Sequence, residues 1–191
     1  MAPRTPMVTY MDTAKRNDVT LDVGIVVERR PSAHPHGGEI WEAVAVLPGA
    51  GPAEWREIAR EAGPNGAIVR YHAATLSLTL HRRETEALRE NLSLAEPVVF
   101  VVLEEDDEIG AYPWRPHVVT LSPFEAQDYG DADALVFKLP LPEGLAALAA
   151  AFVEAHHVDE PFYKRKRDRV RVEDEKFGKV PIFEPGGRRS S

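Results

Sequence analysis

Cysteine is absent from this 191-residue chain. Its absence excludes disulfides, thiolate zinc sites, cysteine-ligated iron–sulfur clusters and a cysteine nucleophile together. A chain of this size without disulfides is expected in a reducing cytoplasm. Long apolar runs are missing as well. No stretch reaches the roughly 18 apolar residues of a membrane helix, and the longest candidate, LAALAAAFVEAHH, is short and rich in alanine. The opening MAPRTPMVTYMDTAKRND lacks the apolar core of a secretory signal, so none is expected. Positive charge is in deficit: 23 Lys and Arg stand against 31 Asp and Glu, a net charge of −8. That balance opposes broad nucleic-acid binding, which needs cationic density to displace phosphate counterions. Neither nucleic acid nor membrane is expected as a partner.

What is present is ordinary globular material, with 43% apolar and 28% charged residues, enough for one domain with a core. Residues 1–20 mix Pro, Thr, Asp and Lys without period and read as disordered. Order is expected from DVGIVVERR, where Val23, Ile25 and Val27 share a face at strand period. IWEAVAVLP is apolar on both faces and predicts a central strand. Between Pro52 and Gly63, the residues Trp55, Ile58, Ala59 and Ala62 recur at helical spacing and predict an amphipathic helix. In RYHAATLSLTLH, Ala74, Leu76, Leu78 and Leu80 alternate with Thr75, Ser77, Thr79 and His81, a half-exposed antiparallel strand. RRETEALRENL predicts a helix, and PVVFVVLEE, HVVTL and ALVFKL predict strands. Ser122-Pro123-Phe124-Glu125 has the form of a capping box. LPEGLAALAAAFVEAHH predicts the last helix, with Leu145, Leu148 and Phe152 inward. The expected fold is a single α+β domain over residues 21–158. It has a mostly antiparallel sheet of about six strands, short intervening helices and a C-terminal helix. Residues 159–191 read as a charged tail.

Candidate chemistry is sparse. LPGAGPAEW offers Gly49 and Gly51, but Glu54 stands where a dinucleotide loop needs its third glycine, and Pro52 lacks an N–H. A plain strand-to-helix turn fits better. The P-loop, the nucleophile elbow and the paired-histidine zinc helix are all missing. Glu154 and His157 form one Glu-x-x-His pair where a carboxylate-bridged di-iron site uses two. No metal is predicted. Strict alternation sets His72 and His81 on opposite strand faces, which argues against their acting as an acid–base pair. Two charge runs remain, acidic from Glu104 to Glu108 and basic from Lys164 to Arg167. Each reads first as an extended, solvated segment. The basic run, preceded by Phe162 and Tyr163, could also grip an acidic partner surface.

Taken in succession, VGIVVERR, IWEAVAVLPG, RYHAATLSLTLHRRETEALRENL, PVVFVVLEE, PHVVTLSPFEAQDYGD and LPEGLAALAAAFVEAHHVDEPFYKRKRDRV resemble an uncharacterised proteobacterial family known as a domain of unknown function. The resemblance runs from about Val23 to Val170, and SPFEAQDY and HHVDEPFYKRKRD are its most specific blocks. Members of that family occur beside genes for molybdenum-dependent formate dehydrogenase and its maturation factors. Some carry the label of a molybdopterin-guanine dinucleotide biosynthesis protein. Nucleotidyl transfer wants a glycine-rich loop with a following lysine and carboxylates for magnesium, and no segment here supplies them.

The resemblance therefore implies a non-catalytic accessory protein for assembly or regulation of a molybdenum-dependent enzyme. Its expected partner is a formate dehydrogenase component, docked through His156, His157, Glu160, Phe162, Tyr163, Lys164, Arg165, Lys166 and Arg167. The alternative is a pocket for molybdopterin or a nucleotide, lined by Arg29, His72, His81, Arg82 and His117.

Overall fold

The computed structural model describes residues 17–34, 36–106, 112–130 and 134–158. In chain order the strands are β1 (Asp18–Pro31), β2 (Glu39–Pro48), β3 (Glu54–Gly63), β4 (Gly66–His81), β5 (Val98–Glu105), β6 (Trp114–Thr120) and β7 (Leu135–Pro140). A 3-10 turn, Arg82–Glu84, leads into helix α1 (Thr85–Leu92). Helix α2 (Pro123–Gly130) follows β6, and α3 (Glu143–His156) follows β7. All pairings are antiparallel. Instead of one sheet there are two, a four-stranded sheet ordered β2-β1-β4-β3 and a three-stranded sheet ordered β6-β5-β7. The fold is thus α+β, as expected, with the seven strands found among the described residues divided between two sheets. β4 runs alongside β6, and β2 alongside β7, without ladder bonds, so the sheets wrap around one interior.

That interior is built from alternation corrected by bulges. Along β1, Val19, Val23, Ile25 and Val27 are buried. Opposite them on β4, Ile25 faces Ala74 while Val26 faces His72, so Ala73 is an extra residue. A bulge of this kind shifts the phase of a strand by one. Here it lets Val69, Tyr71 and Ala73 on one side of the break, and Leu78 and Leu80 on the other, all reach the core. β2 does the same at Val44, bringing Trp41, Ala43 and Val46 inward. β2 is not a central strand but an outer one of its sheet, and this phase change accounts for the apolar residues that its sequence shows on both faces.

The predicted helix after Pro52 is strand β3. Its apolar residues at helical spacing do not line one face: Trp55 is half-buried, while Ile58 sits at a bulge and Ala62 is exposed. The decisive local signal is the turn Pro64-Asn65, which pairs Gly63 with Gly66 and closes a hairpin. Gly66 takes a φ of 135°, a conformation that only glycine adopts readily. β1 begins at Asp18, inside the segment expected to be disordered, and pairs Asp18 with His81.

Helices α1 and α3 pack on each other where β4 ends and β5 begins, adding Leu88, Leu145, Leu148 and Phe152 to the core. At the start of α2, Ser122 Oγ accepts from the N–H of Glu125 at 3.4 Å. The return half of the expected capping box is replaced, since the N–H of Ser122 donates to Thr120 Oγ1 at 3.0 Å. The buried Asn91 joins three elements. Its Nδ2 donates to the carbonyls of Val98 and Leu121, each at 2.8 Å, and its Oδ1 accepts from the N–H of Val98 at 3.0 Å. Replacing it with leucine strands three backbone groups in an apolar setting. Asn91→Leu is expected to lower the unfolding free energy by about 3 kcal/mol. Urea denaturation checks this, and a change near zero would show that water replaces the amide.

Candidate functional site

β3 covers β4 only from Gly66 to Ala74. Beyond that point the outer edge of β4, from Thr75 to His81, meets β6 without a ladder among the described residues. β6 carries its own bulge: Val102 faces Val118 and Leu103 faces Pro116, leaving His117 as the extra residue. Bulges re-aim side chains, and here the re-aimed side chain is an imidazole. His117 Nδ1 lies 3.3 Å from Glu104 Oε2, an oxygen that also accepts from Arg115 Nη2 at 3.2 Å. Its ring stands edge-on to Tyr129, with centroids 5.6 Å apart.

At the end of β4, His81 Nδ1 lies 3.2 Å from Asp18 Oδ1, a pair created by the first cross-strand register of β1. His81 and His117 line one concavity of about 230 Å³ together with Ser77, Thr79 and Glu125. A second, more open concavity of about 630 Å³ is formed by Asn17, Asp18, His81, Arg82 and Arg83. In both histidines a carboxylate oxygen lies beside Nδ1, hydrogen-bonded in His81 and at 3.3 Å in His117, and Nε2 has no protein partner among the described residues. Such an imidazole can accept a proton, donate one, or, when charged, bind an anion. Among the described residues no three His, Asp or Glu side chains group closely enough to hold a metal ion.

The other two residues of the expected pocket lie elsewhere. Arg29 is at the far end of β1, about 35 Å along the strand from Asp18, where it pairs with Glu39 at 3.1 Å and lies over Trp41. The bulge at Ala73 moves His72 to the same face of β4 as His81, against the opposite faces that strict alternation predicts. It nevertheless lies a β-strand's length away. His72 is only 2% exposed because the Gly49–Gly51 connection, the expected strand-to-helix turn, folds over it. Its Nε2 is 3.0 Å from Thr75 Oγ1, which donates to the carbonyl of Gly51 at 2.8 Å. Gly24 makes the room, since a Cβ there would stand 2.5 Å from His72 Nε2.

Of the expected docking residues, His156 packs its ring on Phe152 at 4.7 Å, and His157 Nδ1 is 3.2 Å from Thr85 Oγ1. Glu160, Phe162, Tyr163, Lys164, Arg165, Lys166 and Arg167 lie outside the described residues. No described helix is long and apolar enough to cross a membrane. Sequence reasoning missed Asp18 and Glu104 as partners of the two imidazoles, because both pairs depend on strand register. It also missed a cluster of four rings, Trp41, Trp55, Tyr71 and Tyr112, in which Trp55 and Tyr112 stack in parallel at 4.1 Å.

Burial pushes the His72 imidazole below its ordinary pKa, and the positive charge of Arg56 adds to this, against a backbone hydrogen bond with Ala74. The folded protein therefore holds His72 neutral where the unfolded chain would protonate it. Stability from this group is complete above the unfolded value of about 6.5 and declines as pH falls below it. His72→Gln is expected to flatten the loss of stability between about pH 7.5 and 5.5, read by urea unfolding at each pH. An unchanged slope would place the acid sensitivity elsewhere.

The chain matches no curated protein and no solved structure. A family model described as "Protein of unknown function (DUF3305)" does match, over residues 22–166, which is well over half of the sequence, and the chain belongs to that family.

Proposed function

We propose that this protein is a non-catalytic, cytoplasmic accessory factor for assembly or regulation of a molybdenum-dependent enzyme. In this reading it docks on a formate dehydrogenase component through the segment that follows α3. The observation that carries the reading is a fixed exit from the folded core into a stretch shared with the family. The last turn of α3 is held by buried Phe152, by the His156 ring on Phe152, and by His157 against Thr85. From that anchor the family model continues through residue 166, past Glu160, Phe162, Tyr163, Lys164 and Arg165. A basic, aromatic-led segment tethered at a rigid point loses less freedom on docking than one on a loose arm. The genomic company of the family the sequence resembles supplies the identity of the partner.

The test is recovery of formate dehydrogenase subunits with the tagged protein from its native cell. Changing Lys164, Arg165, Lys166 and Arg167 to Ala together is expected to lower recovery at least about tenfold. Equal recovery, or no molybdoenzyme subunit with either protein, would overturn the proposal.

A second reading is favoured by the two concavities that share His81. Two carboxylate-held imidazoles and the guanidinium groups of Arg82 and Arg83 are suited to the phosphate of a molybdopterin or a nucleotide. Calorimetry with GMP or GTP is then expected to give micromolar affinity that falls at least about tenfold in His81→Asn and Arg82→Ala. No heat of binding, or equal affinity in the variants, would remove it.

A further inference from the structure

β3 is the outermost strand of the four-stranded sheet, and among the described residues no strand bonds to its free edge. Its register on β4 sets Arg56 opposite His72, Glu57 opposite Tyr71, Ala59 opposite Arg70, Arg60 opposite Val69 and Glu61 opposite Ile68. Ile58 is the extra residue between the two halves. Side chains of directly opposed residues share a face of a sheet. Arg56, Ala59 and Glu61 therefore face one way, while Glu57 and Arg60 face the other. The Glu57–Arg60 hydrogen bonds at 2.6 and 2.8 Å agree with this placement. Without the bulge at Ile58, Glu57 and Arg60 would fall on opposite faces.

We propose that β3 pairs antiparallel with β3 of a second copy of this chain, about a two-fold axis at Ala59. In that register, with Ile58 bulged out of each strand, each opposed pair shares a face, as a two-fold sheet contact requires. Arg56 then stands opposite Glu61 of the second copy, and Glu57 opposite its Arg60. Four opposite-charge pairs form in all, counting both directions. The neighbouring registers on either side bring Arg60 against Arg60 or Glu57 against Glu57, and like charges directly opposed are destabilising. Charge order thus selects one register. Ala59 is small enough for close approach at the axis, and Ile58, 45% exposed in the single chain, lies beside it to be covered by its symmetry mate. Charged residues and a bulge ordinarily keep an edge strand single. Here the same charges, which pair within the single chain as Glu57–Arg60 and Glu61–Arg70, are ordered so that a copy of the strand meets them with opposite charges in one register. This inference is independent of the proposed docking function.

The experiment is sedimentation equilibrium of the full-length protein up to about 0.5 mM, at low and high salt. A monomer–dimer equilibrium that weakens as salt rises is expected. Glu57→Arg sets Arg against Arg, and Arg60→Glu sets Glu against Glu. Each alone is expected to weaken dimerisation at least about tenfold. Mixed in equal amounts, the two variants present complementary strands and are expected to form a heterodimer, an outcome that a folding defect cannot produce. A wild-type protein that stays monomeric, single variants that dimerise like the wild type, or a mixture that fails to associate would each overturn the proposal.

Discussion

A long strand must keep its apolar side chains on the inside over its whole length, and β4 meets that constraint only through the bulge at Ala73. It is the longest strand, it pairs with both β1 and β3, and it runs alongside β6. An unbroken alternation would turn either the Val69–Tyr71 half or the Leu78–Leu80 half away from the core. Each fully buried aliphatic side chain contributes about 1.5–3 kcal/mol, so losing one half would remove much of the margin of a small domain. The phase change is therefore a condition of the fold, and it also sets which polar residues share the opposite face.

From this follows the layout of polar groups. The outer face of β4 carries His72, Thr75, Ser77, Thr79 and His81 in sequence. Its first part is sealed by the connection folded over Gly24, and its last part opens on β6. The sealed histidine is held neutral by burial, while the open one is oriented by Asp18. Two imidazoles of similar origin on one strand thus have different chemistry because one lies under a loop and the other at a seam. β6 adds the third imidazole by its own bulge.

Much of this was legible in the chain and some was not, for identifiable reasons. β5 and β6 announce themselves through β-branched runs, and α3 through Leu145, Leu148 and Phe152 at helical spacing. Periodicity failed at β3, where Trp55, Ile58, Ala59 and Ala62 imitate a helix because a bulge and a half-buried indole interrupt strand alternation. The turn at Pro64-Asn65-Gly66 was the better witness. The His81–Asp18 and His117–Glu104 pairs were beyond reach, since partners 63 and 13 positions apart in sequence meet only once strand register is known. Arg29 and His72 lie apart from these pairs, Arg29 at the far end of β1 and His72 well back along β4 from His81. The partition of strands between two sheets likewise depends on long-range packing that no local pattern carries.

The most direct test of this account is the cross-strand register of β1 on β4, read from nuclear Overhauser contacts between backbone protons of labelled protein. The structure requires Ile25 to face Ala74 and Val26 to face His72, with Ala73 skipped. A ladder that instead set Val26 against Ala73 and ran on without a break would turn His72 into the core. That result would contradict the placement of His72, Thr75, Ser77, Thr79 and His81 on one face of β4.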